Sequence, residues 1–277
     1  MLKITSRENA KLKLARRTRD GREEDLIFIE GLRLSEEVLR SKIKIKEVFV
    51  AESFVENARG KSLIKAFQTE NHSINEVAEK LFPTVADTKT SQGIILICEK
   101  PSTSKDDFEA GFKLENCKLP VVVLLHEINN PSNLGAILRT TEAVDAAGVV
   151  ATKSSADVFS PKSLRASMGA ALRLNIWSNA GFKEALDWAN GKELIATAAD
   201  VNAEKSYTEI DWKKPRLLVF GSEAHGLSTE EFEIIDESLI IPMENGVESL
   251  NLAVSCGIVL FEARRQVSGR QKQESVY

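Results

Sequence analysis

Three short stretches of the 277-residue chain carry side chains that could do chemistry. In the first, Asn133 and Arg139 stand six positions apart, just after an Asn130-Pro131 turn, and a helix is expected to start near Asn133. An arginine so close to an apolar helix face either forms a salt bridge or binds an anion. The second is Gly221-Ser222-Glu223-Ala224-His225-Gly226-Leu227. It has the glycine spacing of a phosphate-binding loop, but leucine stands at the lysine position and Glu223 would repel phosphate. Its glycines either form a plain tight turn or let the backbone approach a flat or bulky ligand. The third runs from Ile240-Ile241-Pro242-Met243 to Ser249-Leu250-Asn251. Ser249 fits an N-cap opening the last helix, which puts Asn251 in the first turn, facing whatever lies at that helix end.

Other chemistries find little support. The three histidines, His72, His126 and His225, complete no Ser-His-Asp or Cys-His pattern, and only His225 lies in the glycine loop. No strand is followed by G-x-G-x-x-G. Cys98, Cys117 and Cys256 are scattered and odd in number, which suits buried, reduced thiols in a cytoplasmic protein and matches no zinc site. No metal is expected. No apolar run approaches the length of a membrane span, and the first residues lack a signal-peptide core.

These stretches need a frame to position them. Leu26–Ile29, Ile45–Val50 and Gly93–Cys98 are expected strands, with helices over Leu32–Arg40 and Phe54–Thr69. That makes residues 1–100 a small α/β domain. The polar, Pro/Ser-bearing stretch 101–117 is expected as a linker. Residues 118–267 then alternate strands and helices, beginning with Val121–Leu125, a run suited to a strand buried on both faces of a parallel sheet. Further strands are expected at Gly148–Thr152, Leu174–Trp177, Glu193–Ala198, Arg216–Phe220 and Ser238–Pro242. Leu134, Ile137, Leu138, Thr141 and Val144 mark one helix face. Ligands of such sheets sit at the carboxyl ends of the strands. The last helix, about Leu250–Gln266, is apolar nearly all round until Glu262 and needs covering on several sides. Residues 268–277 are expected as a disordered tail.

The net charge of −4 argues mildly against a nucleic-acid partner, but residues 1–22 hold eight basic residues against two acidic ones. Such a segment is either a phosphate-binding patch or a solvated basic helix.

Taken together, in this order and at these separations, the three stretches closely resemble the motifs of the SpoU, or TrmH-like, branch of the SPOUT methyltransferases. The resemblance covers about residues 118–266. The N-terminal part, Ile4–Lys13 followed by Phe28–Leu34, resembles the family's substrate-binding extension, itself similar to small ribosomal-protein-like RNA-binding folds.

This resemblance implies an S-adenosyl-L-methionine-dependent RNA 2′-O-ribose methyltransferase and a parallel α/β-knot domain whose deep trefoil knot is formed by the last two motifs. It also implies a homodimer with active sites near the interface. Carried over by motif position, Gly221, Ile241 and Leu250 line the cofactor pocket, with Thr197 a weaker candidate. Arg139 addresses the reacting ribose or its phosphate, Asn133 stands beside it, and Glu223, Ser249 and Asn251 complete the polar lining. Arg165 and Ser167 either reach RNA or occupy plain surface. The substrate implied is RNA, with 23S ribosomal RNA favoured by the N-terminal extension. The alternatives are transfer RNA and a non-catalytic RNA-binding relative.

Overall fold

The computed structural model describes residues 1–41 and 43–268, so the expected tail beyond Ser268 lies outside the described residues. The chain forms two compact units, Met1–Pro101 with Val158–Arg173, and Ser102–Asp157 with Leu174 onward. No helix of the described residues is long and apolar enough to cross a membrane.

The first unit runs β1 (Leu2–Ile4), α1 (Ala10–Arg19), β2 (Leu26–Glu30), α2 (Leu32–Arg40), β3 (Ile45–Ala51), α3 (Glu52–Glu56), α4 (Ala58–Thr69), β4 (Ile74–Val77) and β5 (Ile94–Glu99). The sheet order is β1-β4-β3-β5-β2. The first three strands in that order are parallel, and β5 runs antiparallel to both its neighbours. The helix expected over Phe54–Thr69 is broken in two. Asn57 is extended, and its side chain accepts from the Arg59 and Gly60 N–H groups, so it caps a new helix instead of continuing the old one.

The basic N-terminal segment is largely paired inside this unit. Lys3 meets Glu52 at 2.8 Å, Lys11 meets Glu47 at 2.7 Å, and Lys13 meets Glu8 at 2.6 Å. Arg17 meets Glu23, and Arg19 meets Asp20, both at 2.8 Å. Glu47 and Glu52 come from β3 and α3, distant in sequence, which is why a local charge tally overstates the patch.

The second unit contains α5 (Lys105–Gly111), β6 (Leu119–Leu125), α6 (Pro131–Ala143) and β7 (Ala146–Thr152). After β7 the chain supplies α7 (Pro161–Ser167) to the first unit, where it packs on β2. The second unit then resumes with β8 (Ile176–Ala180), α8 (Phe182–Gly191), β9 (Ile195–Ala199), β10 (Arg216–Phe220), α9 (Thr229–Phe232), β11 (Glu237–Leu239) and α10 (Leu252–Ser268). Its six strands are ordered β11-β9-β10-β6-β7-β8 and are parallel throughout. Residues Val121 to Leu125 of β6 are completely buried, as a central parallel strand requires. The expected linker 101–117 contains α5, whose Phe108 is fully buried against Trp177 and Trp188. Polar flanks concealed that anchor in the sequence.

On α6 the buried face is Leu134, Ile137, Leu138 and Thr141, as the spacing predicts. It packs against α10, which buries Cys256, Val259, Leu260 and Ala263. The opposite face of α10 is uncovered, with Val254 51% and Phe261 56% exposed.

One buried charge holds three strands in register. Arg216 on β10 is 3% exposed and lies over the Trp212 ring. Its guanidinium donates to Thr197 Oγ1 on β9 at 2.7 Å, to Asp211 O at 3.0 Å, and to the Glu237 carboxylate on β11. Burial pushes the Glu237 carboxyl up, but the Arg216 hydrogen bond and charge, with help from Lys205, outweigh it and leave it below the usual carboxylate range. A depressed folded-state pKa means stability that is present above the unfolded value of 4.5 and lost as pH falls through the folded value. Glu237→Leu should therefore cost about 3 kcal/mol at pH 7, because it strands a buried guanidinium. Urea unfolding measures that loss, and the variant should also lose less of its stability than wild type between pH 5 and acid, at flanking pH values of about 5 and 3.

Candidate active site

A cavity of this unit, about 1080 Å³, opens at the carboxyl ends of four adjacent strands, β11, β9, β10 and β6. Gly221 follows β10, Asp200 follows β9, Ile240 and Ile241 follow β11, and Asn130 and Asn133 lie in the turn and helix after β6. This is where an open parallel sheet offers its ligand site.

Backbone geometry fixes the glycine loop. Ser222 N–H donates to Gly226 O at 3.0 Å, and Gly226 N–H returns to Ser222 O at 2.9 Å, folding the loop onto itself. Gly226 adopts φ +67°, a left-handed conformation suited to glycine. A Cβ at Gly221 would sit 2.4 Å from Gly226 C and 2.6 Å from its O, so only glycine allows that approach.

A line of hydrogen bonds joins the three motif stretches. Asn251 Nδ2 donates to Asn133 Oδ1 at 3.1 Å, and Asn133 Nδ2 donates to Glu223 Oε1 at 2.6 Å. The other carboxylate oxygen of Glu223 accepts from Asn130 N–H at 3.2 Å. Asn130 also caps α6 by accepting from Ser132 N–H, with Pro131 at the first helical position.

The structure corrects the expected cap of the last helix. That helix starts at Leu252, and Asn251 Oδ1 accepts from Ala253 N–H at 3.0 Å and Val254 N–H at 3.4 Å. Asn251 is thus the capping side chain and Ser249 is not. Both residue types cap well, so composition alone cannot choose between them.

The expected site residues are distributed unevenly. Asn133, Glu223 and Asn251 bond to one another, and Ser249 lines the same cavity. Gly221, Ile241 and Leu250 all line it. Arg139 lies outside the lining, exposed on α6, and makes no hydrogen bond or ion pair among the described residues. Thr197 is fully buried and accepts from Arg216, so its hydroxyl serves the strand network instead. His225 is exposed at the loop tip and lines the cavity. In the first unit Arg165 pairs with Asp87 at 2.7 Å, and Ser167 is buried. Asn130, Asp200 and Phe232 also line the cavity and were not anticipated. Asn-Pro at a helix start was the available signal for Asn130. Among the described residues, no group of three or more His, Cys, Asp or Glu could hold a metal ion.

The cavity is roomy enough for a nucleoside-sized ligand. It offers backbone along the glycine loop and, at one rim, the bonded amides and carboxylate of Asn133, Asn251 and Glu223. Fold and cavity together define a ligand-binding domain of the parallel α/β class.

Comparison with known proteins places it more narrowly. The profile of the SpoU rRNA Methylase family matches residues 120–261, and that of the MRM3-like substrate binding domain matches residues 7–96. The chain belongs to the SpoU rRNA methylase family. It is 38% identical over 146 residues to an uncharacterized tRNA/rRNA methyltransferase of Synechocystis, covering 52% of this chain and 53% of that protein. It is 28% identical to the Bacillus subtilis 23S rRNA (guanosine(2553)-2′-O)-methyltransferase RlmP, covering 95% of this chain and 100% of that one. Among solved structures, an AdoMet-bound rRNA methyltransferase from Sinorhizobium meliloti superposes with a TM-score of 0.80 at 28% identity, covering 95% and 97% of the two chains. The matched stretches span 53, 65 and 54% of the length of three relatives.

Gly221→Ala should cost at least about 2 kcal/mol, because the new methyl meets backbone and not a movable side chain. Gly226→Ala, with open space around its Cβ but a left-handed φ, should cost less, about 1 kcal/mol. Paired urea melts of the two variants check the order.

Proposed function

We propose that this protein transfers a methyl group from S-adenosyl-L-methionine to a ribose 2′-hydroxyl of RNA, with 23S ribosomal RNA the favoured substrate. The observation that carries the reading is the hydrogen-bonded line Asn251–Asn133–Glu223 at the rim of a strand-end cavity, which draws the three SpoU motifs into one site. The family match and the full-length similarity to a 23S rRNA 2′-O-methyltransferase support it.

When bound, S-adenosylmethionine supplies an activated methyl carbon. Gly221, Ile241 and Leu250 are the residues that would hold it, the first because it keeps the glycine loop closed against its own backbone. Glu223 has both oxygens engaged by Asn130 and Asn133, so it acts as a fixed acceptor that orients the rim. Asn133 and Asn251 hold each other in one amide orientation, which presents a rigid polar edge to an incoming ribose. Arg139 carries a charge with no partner among the described residues and is suited to a ribose phosphate. The first unit is the RNA-binding unit, consistent with the substrate-binding profile it matches. The unpaired cysteines suit a reducing cytoplasm.

Arg139 stands outside the cavity lining of a single chain. Together with the uncovered apolar stripe of α10 at Val254 and Phe261, this supports a homodimer in which the site is completed near the interface.

Arg139→Ala should lower methyl transfer to ribosomal RNA roughly 10²–10³-fold, the scale of removing one charge-stabilising group, and leave S-adenosylmethionine affinity unchanged. Radiolabel transfer and calorimetry test the two halves, and undiminished turnover would remove Arg139 from the site. Phe261→Glu should convert a dimer to monomer in analytical ultracentrifugation. A monomeric wild type, or a variant that remains dimeric through this face, counts against the proposed interface.

A further inference from the structure

His126 is a buried titratable group that the site's hydrogen-bonded line does not use. It is 8% exposed and follows the last residue of β6. Its backbone N–H donates to Phe220 O, the last residue of β10, at 2.9 Å. Its ring lies against Phe182 at the start of α8, with centroids 4.6 Å apart. Nε2 is 2.8 Å from Glu231 Oε1 on α9, and Nδ1 is 3.2 Å from Thr152 Oγ1 at the end of β7. A carboxylate only accepts, so Nε2 carries the hydrogen. Thr152 Oγ1 also accepts from Glu127 N–H at 3.1 Å, and as a hydroxyl it can either donate to Nδ1 or accept from it. Both ring nitrogens are thereby satisfied.

The partner helix is weakly held by other means. α9 has four residues, none of them buried, and Phe232 packs only part of its ring on the core. So short a helix has little stability of its own. Ser228 Oγ accepts from Glu231 N–H at 3.3 Å, and Glu231 Oε2 accepts from Ser228 N–H at 2.8 Å, closing the first turn. That closure uses one carboxylate oxygen and leaves the other for His126. Burial pushes the Glu231 carboxyl up, but the Ser228 bonds and His126 outweigh it and hold it below the usual range. The bond to His126 is therefore made to a charged acceptor. Ser228, Thr229 and Phe232 are also a wall of the cavity.

We propose that the His126–Glu231 pair is a latch that holds α9 in place as a cavity wall, making His126 a positioning residue for the ligand site. Breaking the pair frees α9 while the sheet stays folded. The latch stands on the geometry alone. Its effect on ligand affinity rests on the reading of the cavity as an S-adenosylmethionine site.

The test compares the full-length wild type with His126→Phe, which keeps a ring against Phe182, with Glu231→Gln, which keeps the cap, and with the double variant. In each single variant, hydrogen exchange at the Glu231, Phe232 and Glu233 amides should speed up roughly ten- to hundredfold, the scale of one hydrogen bond to a charged group. The double variant should add little to either. Exchange in β6 and β10 should stay at the wild-type rate, and S-adenosylmethionine affinity, measured by calorimetry, should fall in step with the α9 amides. Unchanged α9 exchange, or acceleration shared equally by β6 and β10, overturns the latch. Faster α9 exchange with unchanged affinity overturns the positioning role. A wild type that binds no S-adenosylmethionine overturns the proposed function instead, and the exchange data then judge the latch by themselves.

Discussion

Asn133 donates and accepts in the same plane, and that constraint organises the site. Its Oδ1 receives Asn251 Nδ2 and its Nδ2 reaches Glu223 Oε1, across sequence separations of 118 and 90 residues. The direction of this line is set at one end. Asn251 must turn its Oδ1 toward the first N–H groups of α10 to cap the helix, which leaves only its Nδ2 to face Asn133. Asn133 is then compelled to present its own Nδ2 to Glu223. A helix cap thus fixes the orientation of two amides and one carboxylate. An aspartate at 133 would break the sequence of donors and set two carboxylates face to face.

Such a line can hold only if the elements it joins are rigid. The sheet provides that through strands buried on both faces, and through the Arg216 guanidinium spanning β9, β10 and β11. Burying a guanidinium is costly unless every bond is met. Here Thr197, Asp211 O and Glu237 accept three of its N–H groups, with the Trp212 ring beneath. The side chain that looked like a pocket residue, Thr197, is needed behind the pocket. Its position near a strand's carboxyl end was legible in the sequence, but the direction of its hydroxyl depends on which neighbour strand carries an arginine.

What the sequence made legible follows the range of the physics. The buried face of α6 and the run Val121–Leu125 were readable because period and hydrophobicity are local. The cavity residues Gly221, Ile241 and Leu250 came from motif order and do line one space. Long-range facts were hidden. Phe108 anchors a stretch whose flanks resemble a linker, and Val158–Arg173 leaves the second unit for the first. Ser249 and Asn251 are two good capping residues two positions apart, and tertiary bonding to Asn133 selects the second.

Charge shows the same limit. Net charge understates the cations and the N-terminal tally overstates them, because neither counts partners. Lys3, Lys11, Lys13, Arg17 and Arg19 are already paired inside the first unit, whereas the side chains of Arg7 and Arg22 make no ion pair or hydrogen bond among the described residues. An exposed ion pair is weak, so a paired lysine could still exchange its partner for a phosphate, but it would add less net attraction than a free one. Arg139 on α6 and Arg7 and Arg22 flanking α1, without ion pairs among the described residues, therefore have the most to offer a polyanion. In the proposed function they divide the task. The N-terminal arginines gather the RNA, and Arg139 acts where the ribose must meet the cavity. Neither group competes with the hydrogen-bonded line that holds the site's shape, because that line is made of amides and a carboxylate bonded to one another.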